Sequence, residues 1–252
     1  MKHGPENQGN DCYLNVLVSV LLFCPHWVRV VKKHHKHEWH EIVRRTWFDL
    51  DRDPREAIRL WKASLPLGIL RSNVQEDSHE ALLSLFETYP RTLAPLFETR
   101  VLNAYQCSCG YTFTRDEVQY SYPDHRPTHL IPEYRCDLCN DVNTTTKSQT
   151  VSKEPLIALI TVHRNKGARL KDKTLTSIES TKTIGGKSYT HTASILHRGS
   201  STDYGHYVCE VAFDTHRWYA VDDSEIRALD QGPTEVSRDV CMIFYSLVNP
   251  HT

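Results

Sequence analysis

Residues 12–24 read Cys-Tyr-Leu-Asn-Val-Leu-Val-Ser-Val-Leu-Leu-Phe-Cys, an almost unbroken apolar stretch near the start of a 252-residue chain. Its apolar positions cover nearly every side of a helix, so the stretch belongs in the middle of a domain and not on its surface. It is too short to cross a bilayer. It also follows an Asn/Gly turn and not a basic segment, which argues against a signal peptide. Asp11 is placed to cap this helix. Cys12 then falls in the first turn, where unpaired N–H groups carry partial positive charge and favour a thiolate.

A soluble, intracellular and monomeric protein is expected, with its eight cysteines reduced and available for catalysis, metal or core packing. A 39% hydrophobic content supports a real core, within one large domain or two small ones. The 30 Lys and Arg balance 31 Asp and Glu, so no general footprint for nucleic acid exists, and no membrane partner is expected. The local basic run Lys32-Lys33-His34-His35-Lys36-His37 reads as a solvated face, and the His34–His40 cluster likewise.

Helical periodicity predicts a second helix near 54–63, with Asp53 as cap and Pro54 in its first turn, and a third over roughly 75–89. From Val101 onward the pattern alternates. Strands are expected over Leu156–His163, Ser177–Ile184, Ser188–Leu196, His206–Phe213, Trp218–Val221 and Val240–Leu247, with Gly185-Gly186 turning a hairpin. A helical front half and a stranded rear half predict a cleft between two lobes, with Cys12 on one and His206 on the other.

Such a pairing suits a thiol nucleophile with an imidazole base. His206 follows Gly205, where backbone can approach a substrate closely. If 206–213 and 217–222 form a hairpin centred near Asp214, His206 and Asp222 lie opposite each other on one face. A one-residue slip would select Asp223 instead, so spacing leaves that choice open. Asn7 is placed to give a side-chain N–H to an oxyanion, alongside the Cys12 backbone N–H. Cys24, Cys209 and Cys241 read as small core hydrophobes.

These residues resemble the signature boxes of the ubiquitin-specific proteases, papain-like deubiquitinases. Gly4-Pro-Glu-Asn7-Gln-Gly-Asn-Asp11-Cys12-Tyr-Leu-Asn15 is similar to the family's cysteine box, and Gln75-Glu76-Asp77-Ser78-His79-Glu80-Ala81-Leu82 to its Gln-Gln-Asp-Ala-His-Glu-Phe-Leu helix. His197-Arg-Gly199, Gly205-His206-Tyr207-Val208, Trp218 four residues before Asp222, and the closing Met242-Ile-Phe-Tyr245 resemble the histidine box and last strand. The resemblance runs over nearly the whole chain, with the boxes in order.

It implies one α+β, papain-like catalytic domain over 1–252: a helical thumb over about 1–100, short fingers over about 101–150 and a β-rich palm over about 151–252. It makes Cys12 the nucleophile, His206 the general base, Asp222 the third member and Asn7 the oxyanion donor. Asp77, beside Gln75 and Glu76, would bind an arginine of the ubiquitin tail, and Gly205 and Tyr207 would line the channel for its two glycines. The activity implied is hydrolysis after the C-terminal glycine of ubiquitin through a thioester. The rivals are an inactive ubiquitin-binding relative and a protease for NEDD8, SUMO or a polyprotein.

Two departures stand out. Asp11 replaces the usual Thr or Ser, and its charge beside Cys12 should oppose thiolate formation. Cys107-Ser-Cys109-Gly110 and Cys136-Asp-Leu-Cys139 suit a structural zinc ribbon at the tip of the fingers, but the first pair is Cys-x-Cys where the family has Cys-x-x-Cys.

Overall fold

The computed structural model describes residues 4–24, 26–29, 62, 76–122, 128–167, 170–201, 204–214 and 216–248. Apart from Lys62, which is helical, the expected helix at 54–63 with its Asp53 cap lies outside the described residues, as do the basic and histidine-rich run at 32–40 and Gln75. Helix α1 spans Cys12–Phe23. Tyr13, Leu14, Val16, Leu17, Val18, Val20, Leu21 and Leu22 are all buried, which is the all-round burial its sequence demands. Helix α2 spans Ser78–Thr88 and buries Ala81, Leu82, Leu85 and Phe86 on one stripe. It begins later than the periodicity suggests because Asp77 caps it, taking the His79 and Glu80 N–H groups at 2.7 and 3.1 Å. A single-turn helix, α3, follows at Ala94–Phe97.

Strands β1 (Thr99–Cys107), β2 (Thr112–Gln119), β3 (Thr128–Arg135) and β4 (Val142–Lys153) form an antiparallel sheet in the order β2-β1-β4-β3. The cysteine pairs sit where β1 and β3 end. A larger antiparallel sheet holds β5 (Ile157–Thr161), β7 (Thr181–Ile184), β8 (Lys187–Arg198), β9 (His206–Ala212), β10 (Trp218–Asp222), β11 (Glu225–Ala228) and β13 (Val240–Leu247). Its order is β11-β10-β9-β8-β13-β5, with β7 added along β8. The two glycines between β7 and β8 both take positive φ, 57° and 81°, as the two-residue hairpin turn requires.

The expected strand over Ser177–Ile184 is two pieces. β6 (Thr176–Ser177) pairs with β12 (Val236–Ser237), and the chain then crosses at Ile178, whose N–H bonds Glu235 O, to pair as β7 with β8. Ile178 itself is buried against Tyr189, Ile243 and Tyr245 of the larger sheet.

Period-2 alternation decides which sheet face meets α1. Tyr207, Cys209 and Val211 of β9, Ala193 and Ile195 of β8, Val221 of β10, and Met242 and Phe244 of β13 form one core with the helix. Tyr189, Ile243, Tyr245, Ala158, Ile178, Ile184 and Val240 form a second. The helix start is thereby set against the edge of the sheet where β9 begins and β10 ends.

Candidate active site

The loop before α1 turns tightly, with Gly9 at φ 118° and Asn10 at φ 56°. Asp11 stands at the cap position, and its carbonyl accepts the Leu14 and Asn15 N–H groups, both at 3.0 Å. Its side chain, against expectation, does not cap the helix. The carboxylate turns back instead, Oδ1 accepting the Gln8 N–H at 3.0 Å and Oδ2 pairing with Lys62 Nζ at 2.7 Å.

Cys12 is 3% exposed. Burial pushes its thiol above the ordinary value, and the carboxylates of Asp223 and Asp11 push the same way. Hydrogen bonds from the Tyr207 and Tyr13 backbone pull it down without winning. Burial, the largest of these causes, runs against the bias toward thiolate expected at the helix start, and Asp11 acts in the opposing direction expected of it. The Tyr207 bond ties the thiol to the residue that follows His206.

His206 opens β9 and Asp222 closes β10, and His206 Nε2 lies 2.6 Å from Asp222 Oδ1. The expected register is off by two: Val221 pairs with Cys209, so Asp222 lies level with Val208 and diagonal to His206. A shift of two keeps both side chains on one face, which is why they still meet. The hairpin loop moves the centre, since Asp214 Oδ1 takes the His216 and Arg217 N–H groups at 3.0 and 2.9 Å and extends the turn. Arg198, opposite His206 on β8, reaches Asp222 Oδ2 at 3.6 Å.

Asp223 takes a different job. At φ 48° it leaves the strand for the β10–β11 turn, a conformation that Asp tolerates better than most residues. Its Oδ2 accepts from Asn7 Nδ2 at 3.0 Å and its Oδ1 from Asn15 Nδ2 at 2.7 Å. It lies 3.9 Å from His206 Nε2, farther than Asp222. Asn7 Oδ1 meanwhile accepts the Gly9 and Asp11 N–H groups at 3.0 and 3.4 Å, which turns its amide nitrogen toward the site. Gly4 packs onto the same turn so closely that a Cβ would stand 2.1 Å from Asp223 O. Asn15 and Lys62 were missed by sequence reasoning. Asn15 occupies a position in the cysteine box that carried a signal, whereas nothing around Lys62 announces its partner.

Asp77, Ser78, His163, Arg164, His197 and Tyr207 line a pocket of about 180 Å³ beside this constellation. Tyr207 is 4% exposed and its ring packs 4.5 Å from that of His197, so its side chain forms a wall beneath the surface. Gly205 is required by crowding: a Cβ there would sit 2.3 Å from Arg198 O and 2.4 Å from His197 Nε2. Glu76 stands beside Tyr13 and, after burial, is the next cause raising its phenol to about 12. A larger cavity of about 630 Å³, lined by His26, His191, Trp218, Ser177 of β6 and Val236 of β12, includes none of the Cys12 group.

At the far end of the small sheet, the sulfurs of Cys107, Cys109, Cys136 and Cys139 all lie within 4.8 Å of one another. Cys109 and Cys136 are 3.8 Å apart, the edge length of a tetrahedron with metal–sulfur bonds of about 2.3 Å. Each pair ends in a left-handed residue, Gly110 at φ 90° and Asn140 at φ 58°, whose N–H returns to the carbonyl of Cys107 or Cys136. The one-residue gap of the first pair therefore still yields converging sulfurs, and the four can hold a metal.

Residues 3–245 match the family described as ubiquitin carboxyl-terminal hydrolase. Ubiquitin carboxyl-terminal hydrolase 23 of Arabidopsis thaliana is 28% identical over 96% of this chain and 35% of its own length, and ubiquitin carboxyl-terminal hydrolase 19 of the same plant is 29% identical over 46% of this chain and 19% of its own. The chain thus spans about a third or less of the curated relatives it matches. Among solved structures, a SAGA DUB module containing Ubp8 bound to monoubiquitin superposes with a TM-score of 0.76 at 14% identity, covering 98% of this chain and 69% of that one. The same module bound to ubiquitin aldehyde gives 0.71 at 15% identity, covering 98% and 70%. The superposition shows the α+β, papain-like fold, and the match over residues 3–245 shows that the chain belongs to the ubiquitin carboxyl-terminal hydrolase family.

Proposed function

We propose that the chain is a thiol-dependent deubiquitinase that hydrolyses the bond after the C-terminal glycine of ubiquitin. The observation that carries the reading is the 2.6 Å His206–Asp222 bond on the strand whose next residue, Tyr207, hydrogen-bonds to the buried Cys12 thiol. Membership of a hydrolase family named for ubiquitin supports it.

Asp222 occupies Nε2 of His206 as an acceptor, so the neutral ring carries its proton there and leaves Nδ1 to receive one. His206 Nδ1 takes the Cys12 proton as the sulfur attacks the glycine carbonyl. Burial raises the Cys12 value, so this transfer belongs to the attack itself. Asn7 Nδ2 has two hydrogens; one is held by Asp223 and the other serves the oxyanion together with the Cys12 N–H. Collapse expels the amine, which receives the proton from the imidazolium, and leaves a thioester. His206 then removes a proton from water as it attacks the thioester; the carbon–sulfur bond breaks, the imidazolium returns that proton to the Cys12 sulfur, and ubiquitin leaves with a free carboxylate. The pocket beside Asp77 receives the tail, with its carboxylate facing the tail arginine. The four cysteines hold a structural zinc that staples the tip of the small sheet and takes no part in the reaction.

The test is labelling with ubiquitin bearing a C-terminal electrophile, beside NEDD8 and SUMO equivalents. Ubiquitin adduct formation that disappears in Cys12→Ala is expected. Labelling that survives in Cys12→Ala, or preference for another modifier, would sink the reading.

A further inference from the structure

Asp11, immediately before the nucleophile, is 6% exposed, and Lys62, far away in sequence, is 4% exposed. Lys62 Nζ donates to Asp11 Oδ2 at 2.7 Å and to Glu6 O at 3.1 Å. The other Asp11 oxygen takes the Gln8 N–H at 3.0 Å. One ammonium therefore joins the two ends of the Glu6–Asp11 loop. Asn7 lies inside that loop and bonds the Asp11 N–H through its own side chain, so the aim of its amide depends on where Asp11 is held.

Charge gives the pair a second consequence. Cys12 is faced by Asp223 from the β10–β11 turn and by Asp11 from its own loop. Asp222 and His206 stand on the neighbouring strands, with Arg198 beside Asp222. Glu76, ahead of α2, acts on the adjacent Tyr13. This is an acidic surrounding for a group that must become an anion. A buried carboxylate stripped of its ammonium would act on the thiol at nearly full strength, because little water remains to screen it.

We propose that Lys62 is a positioning residue of the active site, which holds the Asn7 loop through Asp11 and Glu6 and screens Cys12 from the Asp11 carboxylate. The pair is a unit: Asp11 supplies an acceptor for Gln8, and Lys62 removes the electrostatic penalty of having it there. This deepens the deubiquitinase reading and relies on it only for the identity of the substrate.

Iodoacetamide alkylation of Cys12, followed by the mass of its peptide across pH in the purified chain, tests the pair without any substrate. Lys62→Met should move the alkylation profile to higher pH and slow the reaction at neutral pH by about tenfold, the size of effect one newly unscreened neighbouring charge produces. Lys62→Arg should retain the wild-type profile. Lys62→Met combined with Asp11→Asn should recover it, since the orphaned carboxylate is gone. Asp11→Asn alone should move the profile to lower pH, and it serves if Lys62→Met does not fold. A wild-type profile in Lys62→Met or Asp11→Asn, or a double variant as slow as the single, would overturn the proposal. A wild-type chain inactive on ubiquitin–coumarin, with these shifts intact, would remove the deubiquitinase reading and leave the pair's role standing.

Discussion

Asp222 bonds His206 along a diagonal, from a position level with Val208 and two residues beyond direct opposition. Its neighbour Asp223, turned out of the strand at φ 48°, bonds Asn7 and Asn15 instead. Adjacent carboxylates thus support different partners, one an imidazole and the other the amide expected at the oxyanion.

Asp222→Ala should lower kcat on ubiquitin–coumarin by roughly two to four orders of magnitude, because the ring loses its orientation and the support for its charged form. Asp223→Ala should cost less, about ten- to a hundredfold, since Asn7 is loosened and not removed. The two variants also differ in sign at the thiol. Asp223 raises the Cys12 value, so its removal should move Cys12 alkylation to lower pH. The reverse ranking in kcat would exchange the roles of the two aspartates.

Asp77 combines a helix cap with the presumed recognition of the tail arginine. Asp77→Asn keeps an acceptor for the His79 and Glu80 N–H groups and removes the charge. It should leave the melting temperature unchanged and reduce kcat/KM on ubiquitin substrates by about ten- to a hundredfold, as expected for loss of a charged hydrogen bond. Unaltered kinetics would show that the arginine is read elsewhere.

Metal analysis of the purified chain should find about one zinc per chain, bound by the converging sulfurs of the cysteine cluster. Cys136→Ser should lower both the metal content and the melting temperature, because it removes one of four ligands that tie the ends of β1 and β3 together. Metal-free protein that melts identically after the substitution would mean that the ribbon holds itself together.

His191 predicts an acid weakness in the fold. It is 4% exposed, with its ring between Trp218 at 4.7 Å and Tyr245 at 5.6 Å, and burial lowers its value to about 4. Below the unfolded value near 6.5, the unfolded chain takes up a proton that the folded chain refuses until about 4. Stability therefore falls as pH drops through that window, by up to roughly 3 kcal/mol from this group. Melting temperatures measured from pH 7.5 downward should fall less steeply in His191→Gln than in the wild type, and parallel curves would exclude this origin.

The linear pattern was enough to place a helix at Cys12, strands through most of the rear half, the Gly185-Gly186 hairpin and the four converging cysteines, because each depends on near neighbours: period, turn chemistry and short spacing. The β9–β10 register depends on the local Asp214 turn, whose side chain shifts the hairpin centre; the other departures arise where distant segments meet. The break at Ile178 reflects pairing with two distant strands, β12 on one side and β8 on the other. The first turn of a helix favours a thiolate at Cys12, yet burial, Tyr207 and Asp223 from distant parts of the chain, and the adjacent Asp11 set its environment.

Legible in the residues alone are the inventory and the local scaffold: a buried helix headed by a thiol, a strand that begins with an imidazole, and acidic and amide groups nearby in the same boxes. The division of labour between Asp222 and Asp223, the pairing of Asp11 with Lys62, and the burial that raises the Cys12 value come from the folded arrangement. Periodicity reports which face of an element is buried, whereas charge pairing and desolvation depend on distances of a few ångströms between segments far apart in the chain.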